Sequence, residues 1–240
     1  MKENTQPAPG VEAPPLAAPA RVAVPVTLDQ LVDRALQLAL SGRRTILGIA
    51  GAPGAGKSTL AEALVKRLGP VLAVFVPMDG FHLSNTVLDS LGLRASKGAQ
   101  NTFDAHGYVH LLQRLAQQPE SAAAGLDGII YAPEFDRALD SSIGSAVPVQ
   151  ATTPLVVTEG NYLLLDDAPW NVASQVCAEL WFLAPDEDER VSQLTARHER
   201  FGRSAEEARQ RSLGSDQHNA EMINATAHRA THVFRLTDRW

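Results

Sequence analysis

The chain has 240 residues and a mass of 25.7 kDa, with 45% hydrophobic and 20% charged residues, ordinary values for a globular protein that can bury a core. A formal net charge of −6 and a pI near 5.6 exclude a chain built as a whole for non-specific nucleic-acid binding, because such binding rests on Lys and Arg neutralising phosphates. Cys177 stands alone, which excludes an internal disulfide framework or a multi-cysteine zinc site, and no apolar run approaches the roughly 18 residues of a membrane span. These features predict a cytoplasmic protein with neither nucleic acid nor membrane as partner.

Residues 1–26 are rich in Pro and Ala, with Pro7, Pro9, Pro14, Pro15, Pro19 and Pro25 spread through them. Proline at that density removes backbone donors and blocks helix propagation, so a disordered, polyproline-like tail is expected. On that reading, removing residues 1–24 leaves the melting temperature unchanged. The segment has neither the charged start and apolar block of a secretory signal nor the acid-poor character of a transit peptide, since it carries Glu3 and Glu12.

Residues 27–240 read as one domain. Thr27 and Gln30 make a capping box, and Leu28, Leu31, Val32, Ala35, Leu36 and Ala39 recur with helical period up to Gly42. Thr45–Ala50 reads as a buried strand, Ser58–Leu68 as a helix and Val71–Val76 as a second strand. Asp104 can cap a helix running to about Gln118, and residues 128–152 suit a short antiparallel excursion. Leu155–Thr158 and Leu180–Leu183 read as further buried strands, with a helix around Trp170–Cys177 between them. Asp186–Phe201 and Ala205–Ala225 read as helices, and Thr231–Leu236 as a last strand. Such alternation implies parallel pairing with right-handed crossovers, hence a three-layer α/β sandwich with a parallel sheet of about five strands.

Between the first strand and its helix stand Gly51, Ala52, Pro53, Gly54, Ala55, Gly56, Lys57 and Ser58, followed by Thr59, in the spacing G-x-x-x-x-G-K-S/T. Glycines let backbone N–H groups close around a phosphate, and the helix behind them turns its positive end to the same anion. Lys57 can reach the β- and γ-phosphates of a nucleotide, while the Ser58 hydroxyl can ligate Mg²⁺. The loop alone leaves GTPases, transport ATPases, helicases and small-molecule kinases open. The chain has no Asn-Lys-x-Asp guanine-reading motif and no Leu-Ser-Gly-Gly-Gln signature. Instead the second strand ends in Pro77-Met78-Asp79-Gly80-Phe81-His82. Carboxyl ends of neighbouring parallel strands line one crevice, so Asp79 is expected beside the phosphate loop, where an acceptor hydroxyl needs a carboxylate to orient it and take its proton.

Met78–Leu83 after such a loop and strand resembles the phosphoribulokinase/uridine kinase/bacterial pantothenate kinase superfamily, in particular its bacterial fructose-transport-kinase-like branch. The resemblance continues through Lys97–Asp104, Tyr131–Arg137, Thr158–Leu163, Arg197–Gly202 and Ser215–Ala220, and so covers residues 43–236. It implies ATP and Mg²⁺ as cofactors and a short helical lid near residues 198–206. It also implies Glu159 as a second Mg²⁺-managing or acceptor-orienting group and Arg197 as the cation over the transferred phosphate. Arg203 resembles the family's lid arginine, with Arg190 as a weaker candidate of the same kind. Gln193 stands where relatives carry another arginine. His82, Lys97, Arg137 and Tyr162 fall in segments that line the acceptor cleft, and Lys97 and Arg137 suit an anionic or polyhydroxylated acceptor. Asp216 and Asn219 match a segment near either the adenine or the acceptor.

The expected function is transfer of the ATP γ-phosphoryl group to a hydroxyl of a small metabolite such as a nucleoside, a pantothenate-like acid, a sugar or a glycerate-like acid. A P-loop ATPase without an acceptor and a non-catalytic nucleotide-binding regulator remain the alternatives. The oligomeric state, a homodimer included, is open at this point.

Overall fold

The computed structural model describes residues 22–118 and 128–238; most of the expected N-terminal tail falls outside them. Eight strands and eight α-helices follow in chain order: β1 (Val24–Val26), α1 (Leu28–Ala39), β2 (Thr45–Gly51), α2 (Lys57–Leu68), β3 (Ala73–Pro77), α3 (Asn85–Ser90), α4 (Ala105–Gln117), β4 (Ile129–Asp136), β5 (Ser141–Gln150), β6 (Leu155–Glu159), α5 (Trp170–Val176), β7 (Glu179–Leu183), α6 (Glu187–Arg200), α7 (Ala205–Leu213), α8 (Ser215–Asn224) and β8 (His232–Leu236). Among these residues no helix is long and apolar enough to cross a membrane.

Six strands form one parallel sheet in the order β1-β8-β7-β2-β6-β3. Both faces are covered, and the alternation of side chains divides the core in two. Ile46, Ala50, Val156, Phe182 and Val233 face α4, α5 and α8, whereas Leu47, Ile49, Leu155, Val157, Trp181 and Phe234 face α1 and α2. Such a sheet reads as near-continuous apolar runs, which is why the sequence marks these strands well. β4 and β5 pair antiparallel outside the main sheet, with a bulge at Pro133, and supply the expected excursion.

The sheet of about five parallel strands is present with six, and two details differ from the sequence reading. The outermost strand comes from the end of the segment read as tail: β1 pairs with β8 through Val24–Phe234, Pro25–Arg235 and Val26–Leu236. Proline is tolerated there because β1 is an edge strand, whose outer backbone groups need no partner strand. Thr237 N–H closes the corner on the Val26 carbonyl at 2.9 Å, and the Asp238 carboxylate accepts from Leu28 N–H at 2.9 and 3.0 Å, beside the Thr27–Gln30 capping box. The expected single helix over 205–225 is two helices broken at Gly214, where φ −98° and ψ −104° depart from helical values. A methyl at Gly214 would stand 2.8 Å from the Gln210 carbonyl oxygen.

The hairpin is placed by a glycine. Met78–Phe81 form a 3₁₀ turn directly after β3, and Gly80 within it lets the β4 backbone pass at Pro133. A methyl at Gly80 would collide with the Pro133 carbonyl, a backbone group that no rotamer change can move.

Removal of residues 1–26 is therefore expected to lower the melting temperature, where a detached tail would leave it unchanged. Loss of the β1–β8 pairing at roughly 1 kcal/mol corresponds to about 2–4 °C for a domain of this size, readable by scanning calorimetry. Gly80→Ala should also destabilise, by about 1–3 kcal/mol as an overpacking change; a melting curve identical to wild type would contradict the close approach.

Candidate active site

The carboxyl ends of β2, β6 and β3 lie side by side, since Ile49 and Pro77 both register with Glu159. The phosphate loop leaves β2 at this edge, Glu159 ends β6, and Asp79 follows β3 by two residues. An open cleft of about 800 Å³ stands over them, lined among others by Pro53, Lys57, Ser58, Asp79, Glu159, Asn161, Arg137, Arg197 and Arg203. The juxtaposition expected from strand order is thus present.

Lys57 opens α2 and is buried. Its ammonium donates to Asn161 Oδ1 at 2.6 Å and to the Ala52 carbonyl of its own loop at 3.2 Å. Burial pulls the ammonium below its ordinary pKa, with Arg197 and Arg190 adding to the effect, while Glu159 and Asp79 oppose it. Glu159 is buried too, and its carboxyl is pushed up by loss of water and by the neighbouring Asp79 charge. Ser58 donates its hydroxyl to Glu159 Oε1 at 3.1 Å. A hydroxyl and a carboxylate this close are hard oxygen donors. A carboxylate held in a poorly hydrated place is a seat for positive charge, so the pair fits Mg²⁺ completed by phosphate oxygens and water. Among the described residues no cluster of three or more His, Cys, Asp or Glu side chains is placed to hold a metal ion by itself.

Asp79 is half-buried beside Arg137, whose Nη2 reaches Asp79 Oδ2 at 3.4 Å. The Arg137 guanidinium also lies over the Phe201 ring, 5.9 Å from its centroid, which joins the hairpin to the turn after α6. Arg197, in the last turn of α6, is exposed and lines the same cleft, with the Arg137 cation as a neighbour. Arg203 lies exposed in the α6–α7 connection on the open side of the cleft. Asp216 and Asn219 line this cleft as well, and Asp216 accepts from His198 Nε2 at 2.7 Å.

Four of the candidate residues have their polar groups bonded within the protein. Tyr162 is fully buried among Phe103 and Trp170, and its hydroxyl donates to the Gly98 carbonyl at 2.6 Å, so it supports the cleft wall without lining it. His82 borders the cleft but packs between Phe103 and Phe135. Burial pulls its pKa down, and its Nδ1–H donates to the Asp79 carbonyl at 2.8 Å. Lys97 borders the cleft with its ammonium committed to Asn85 Oδ1, the Asp140 carbonyl and Asp140 Oδ1 at 2.8, 2.7 and 2.9 Å; it clasps the hairpin tip. Arg190 is buried away from the cleft, with Nη1 on the Pro53 carbonyl at 2.8 Å.

Asn161 was not singled out in the sequence, although the Glu-Gly-Asn run after β6 contains it. Asp140 and Asn85, which hold Lys97, lie far from it in sequence and carry no motif. On the other side of the phosphate loop a second hollow of about 910 Å³ is bordered by Ala55, Gly56, Thr59, Gln193, Arg235 and Asp238.

Residues 46–235 match the model of the phosphoribulokinase/uridine kinase family. A protein of Schizosaccharomyces pombe named a putative uridine kinase is 34% identical over 82% of this chain and 83% of its own length. YggC of Escherichia coli, described as uncharacterized, is 31% identical over 85% of this chain and 83% of its own. Among solved structures, a putative fructose transport system kinase from Silicibacter sp. TM1040 superposes with a TM-score of 0.72 at 32% identity, covering 89% of this chain and 100% of that one. YFH7 of Saccharomyces cerevisiae shares the fold, with a TM-score of 0.73 at 19% identity over 89% of this chain and 100% of that one. With its phosphate loop at the centre of a six-stranded parallel sheet, the chain belongs to the phosphoribulokinase/uridine kinase family of P-loop kinases.

Proposed function

We propose that the protein transfers the γ-phosphoryl group of ATP, with Mg²⁺, to a hydroxyl of a small metabolite. The observation that carries this reading is the convergence of Lys57, Ser58, Asp79, Glu159 and Arg197 on one cleft at the carboxyl edge of the sheet. The hollow on the far side of the phosphate loop offers space for the adenosine part. The cleft on the Asp79 side then belongs to the transferred group and the acceptor, and Asp216 and Asn219 belong with it.

Phosphoryl transfer leaves the protein positioning and charge stabilisation rather than covalent work. The loop N–H groups and Lys57 hold the phosphates. Ser58 and Glu159 would hold Mg²⁺, which supplies neutralisation of phosphate charge. Asp79 accepts the hydrogen bond of the acceptor hydroxyl and takes its proton as the oxygen bonds to the γ-phosphorus and the bond to the ADP oxygen breaks. Arg137 steadies the Asp79 carboxylate through its 3.4 Å contact. Arg197 meets the negative charge spread over the transferring oxygens. Names among the relatives suggest a nucleoside or a sugar for the acceptor panel, to which pantothenate-like and glycerate-like acids are added. Measuring ADP release across that panel, with a no-acceptor control, separates a kinase from an ATPase or a non-catalytic binder.

Lys57→Ala is expected to lower ATP-dependent turnover by about 10²-fold or more, since it removes the cation on the β- and γ-phosphates; unchanged turnover in a protein with intact circular dichroism would place the nucleotide elsewhere. Asp79→Asn should keep MgATP affinity and lose transfer, by the roughly 10²–10⁴-fold typical of a general base. Asparagine has nearly the same volume and can still hold a hydroxyl, but it cannot accept the proton. If Asp79 only shapes the turn, the substitution instead costs melting temperature and leaves the turnover of the folded enzyme close to wild type.

A further inference from the structure

We propose that Arg190 is a positioning residue of the nucleotide site, which fixes the Pro53 carbonyl outward and so aims the Gly54 N–H into the phosphate cradle. The inference rests on the reading of Gly51–Ser58 as the ATP phosphate loop. α6 is strongly polar and largely exposed, yet Arg190 on it is only 1% exposed. A cation taken out of water in this way requires full hydrogen bonding, and removing its partners is costly. Nη1 donates to the Pro53 carbonyl at 2.8 Å, Nε and Nη2 donate to the Glu187 carboxylate at 2.8 and 2.6 Å, and Nη2 also meets Gln217 Oε1 from α8. Four hydrogen bonds thus hold a planar group that has five N–H donors.

The loop seats on the same residue through its backbone. Gly54 has φ +85°, and a methyl there would stand 2.7 Å from the Arg190 carbonyl oxygen and 2.9 Å from Leu194 Cβ. The Pro53–Gly54 peptide is therefore gripped from one side by the Arg190 guanidinium and pressed on by the α6 backbone. In a planar trans peptide the carbonyl and the N–H point in opposite directions. A carbonyl held toward α6 turns the following N–H away from α6, to the concave side where the phosphates are cradled. Preset donors avoid reorganisation when the anion arrives, and that is the contribution assigned to Arg190. Arg190 acts through the loop and does not touch the nucleotide.

The test is calorimetric titration of the full chain with MgATP and with ADP, alongside melting curves on the same preparations. Arg190→Met keeps the volume and removes the donors; Glu187, half exposed, can turn to water, so no buried carboxylate is stranded. The expected result is a loss of about ten-fold or more in affinity for both nucleotides, as for one charge-assisted hydrogen bond. Arg190→Lys, which keeps the charge but puts its donors on a single nitrogen, should fall between wild type and Arg190→Met. Glu187→Gln and Gln217→Leu loosen the guanidinium without removing it. Each should weaken nucleotide binding in the wild-type background and add little to Arg190→Met. Folded Arg190→Met with wild-type affinity would overturn the proposal, as would a fall in melting temperature alone. If Arg190→Met does not fold, unchanged affinity in both looser variants overturns it equally. A wild-type protein that binds neither nucleotide would sink the nucleotide-site reading itself, a result distinct from any effect at Arg190.

Discussion

Lys57 is carried by the first turn of α2 into a place from which water is nearly excluded, so its ammonium must find oxygen inside the protein. It finds the Asn161 amide oxygen and the Ala52 carbonyl, and it faces the equally buried Glu159. Neither charged group is comfortable: burial depresses the lysine and raises the carboxyl. That shared discomfort is the state a highly charged ligand would relieve. On the proposed function, a triphosphate would add oxygens to the two the ammonium already meets, and a divalent cation would add positive charge beside the carboxylate. The parallel sheet makes the arrangement possible, because only parallel neighbours bring the ends of β2, β6 and β3 to one edge.

Around this centre the structure spends other polar groups on holding shape. Lys97 fastens the hairpin tip, Tyr162 fastens the Gly98 loop, and His82 fastens the Asp79 turn. Each is a residue type that can bind substrate, and each donates to backbone, amide or carboxylate oxygens of the protein. The cleft therefore combines rigid walls with the open cations Arg197 and Arg203 on the α6–α7 side. The hairpin side of the cleft is thus the hydrogen-bonded side, and the helical connection the exposed one.

The fold was legible because buried parallel strands write continuous apolar runs, as in Thr45–Gly51 and Leu155–Glu159, whose residues are all buried. The phosphate loop and the Met78–His82 turn were legible because their chemistry is local in sequence. What was not legible depends on distance. β1 hides in a proline-rich stretch, since an edge strand accepts proline and three residues carry no period. The break at Gly214 leaves helical periodicity intact on both sides. Whether a lysine or a tyrosine binds a ligand or a carbonyl is decided by partners such as Asp140 and Gly98, which no motif ties to them.

Arg190 and Arg197 show why α6 matters beyond its role as a support. Seven residues apart, they are separated by about two turns and so share one side of the helix. The first is sealed against Pro53 and the second opens into the cleft. The Arg190–Pro53 contact ties the helix that carries Arg197 to the phosphate loop. The His198–Asp216 contact and the Gln217 contact tie the same helix to α8 at both levels. The phosphate loop, the helix that carries Arg197 and the far wall of the cleft are thereby joined by hydrogen bonds.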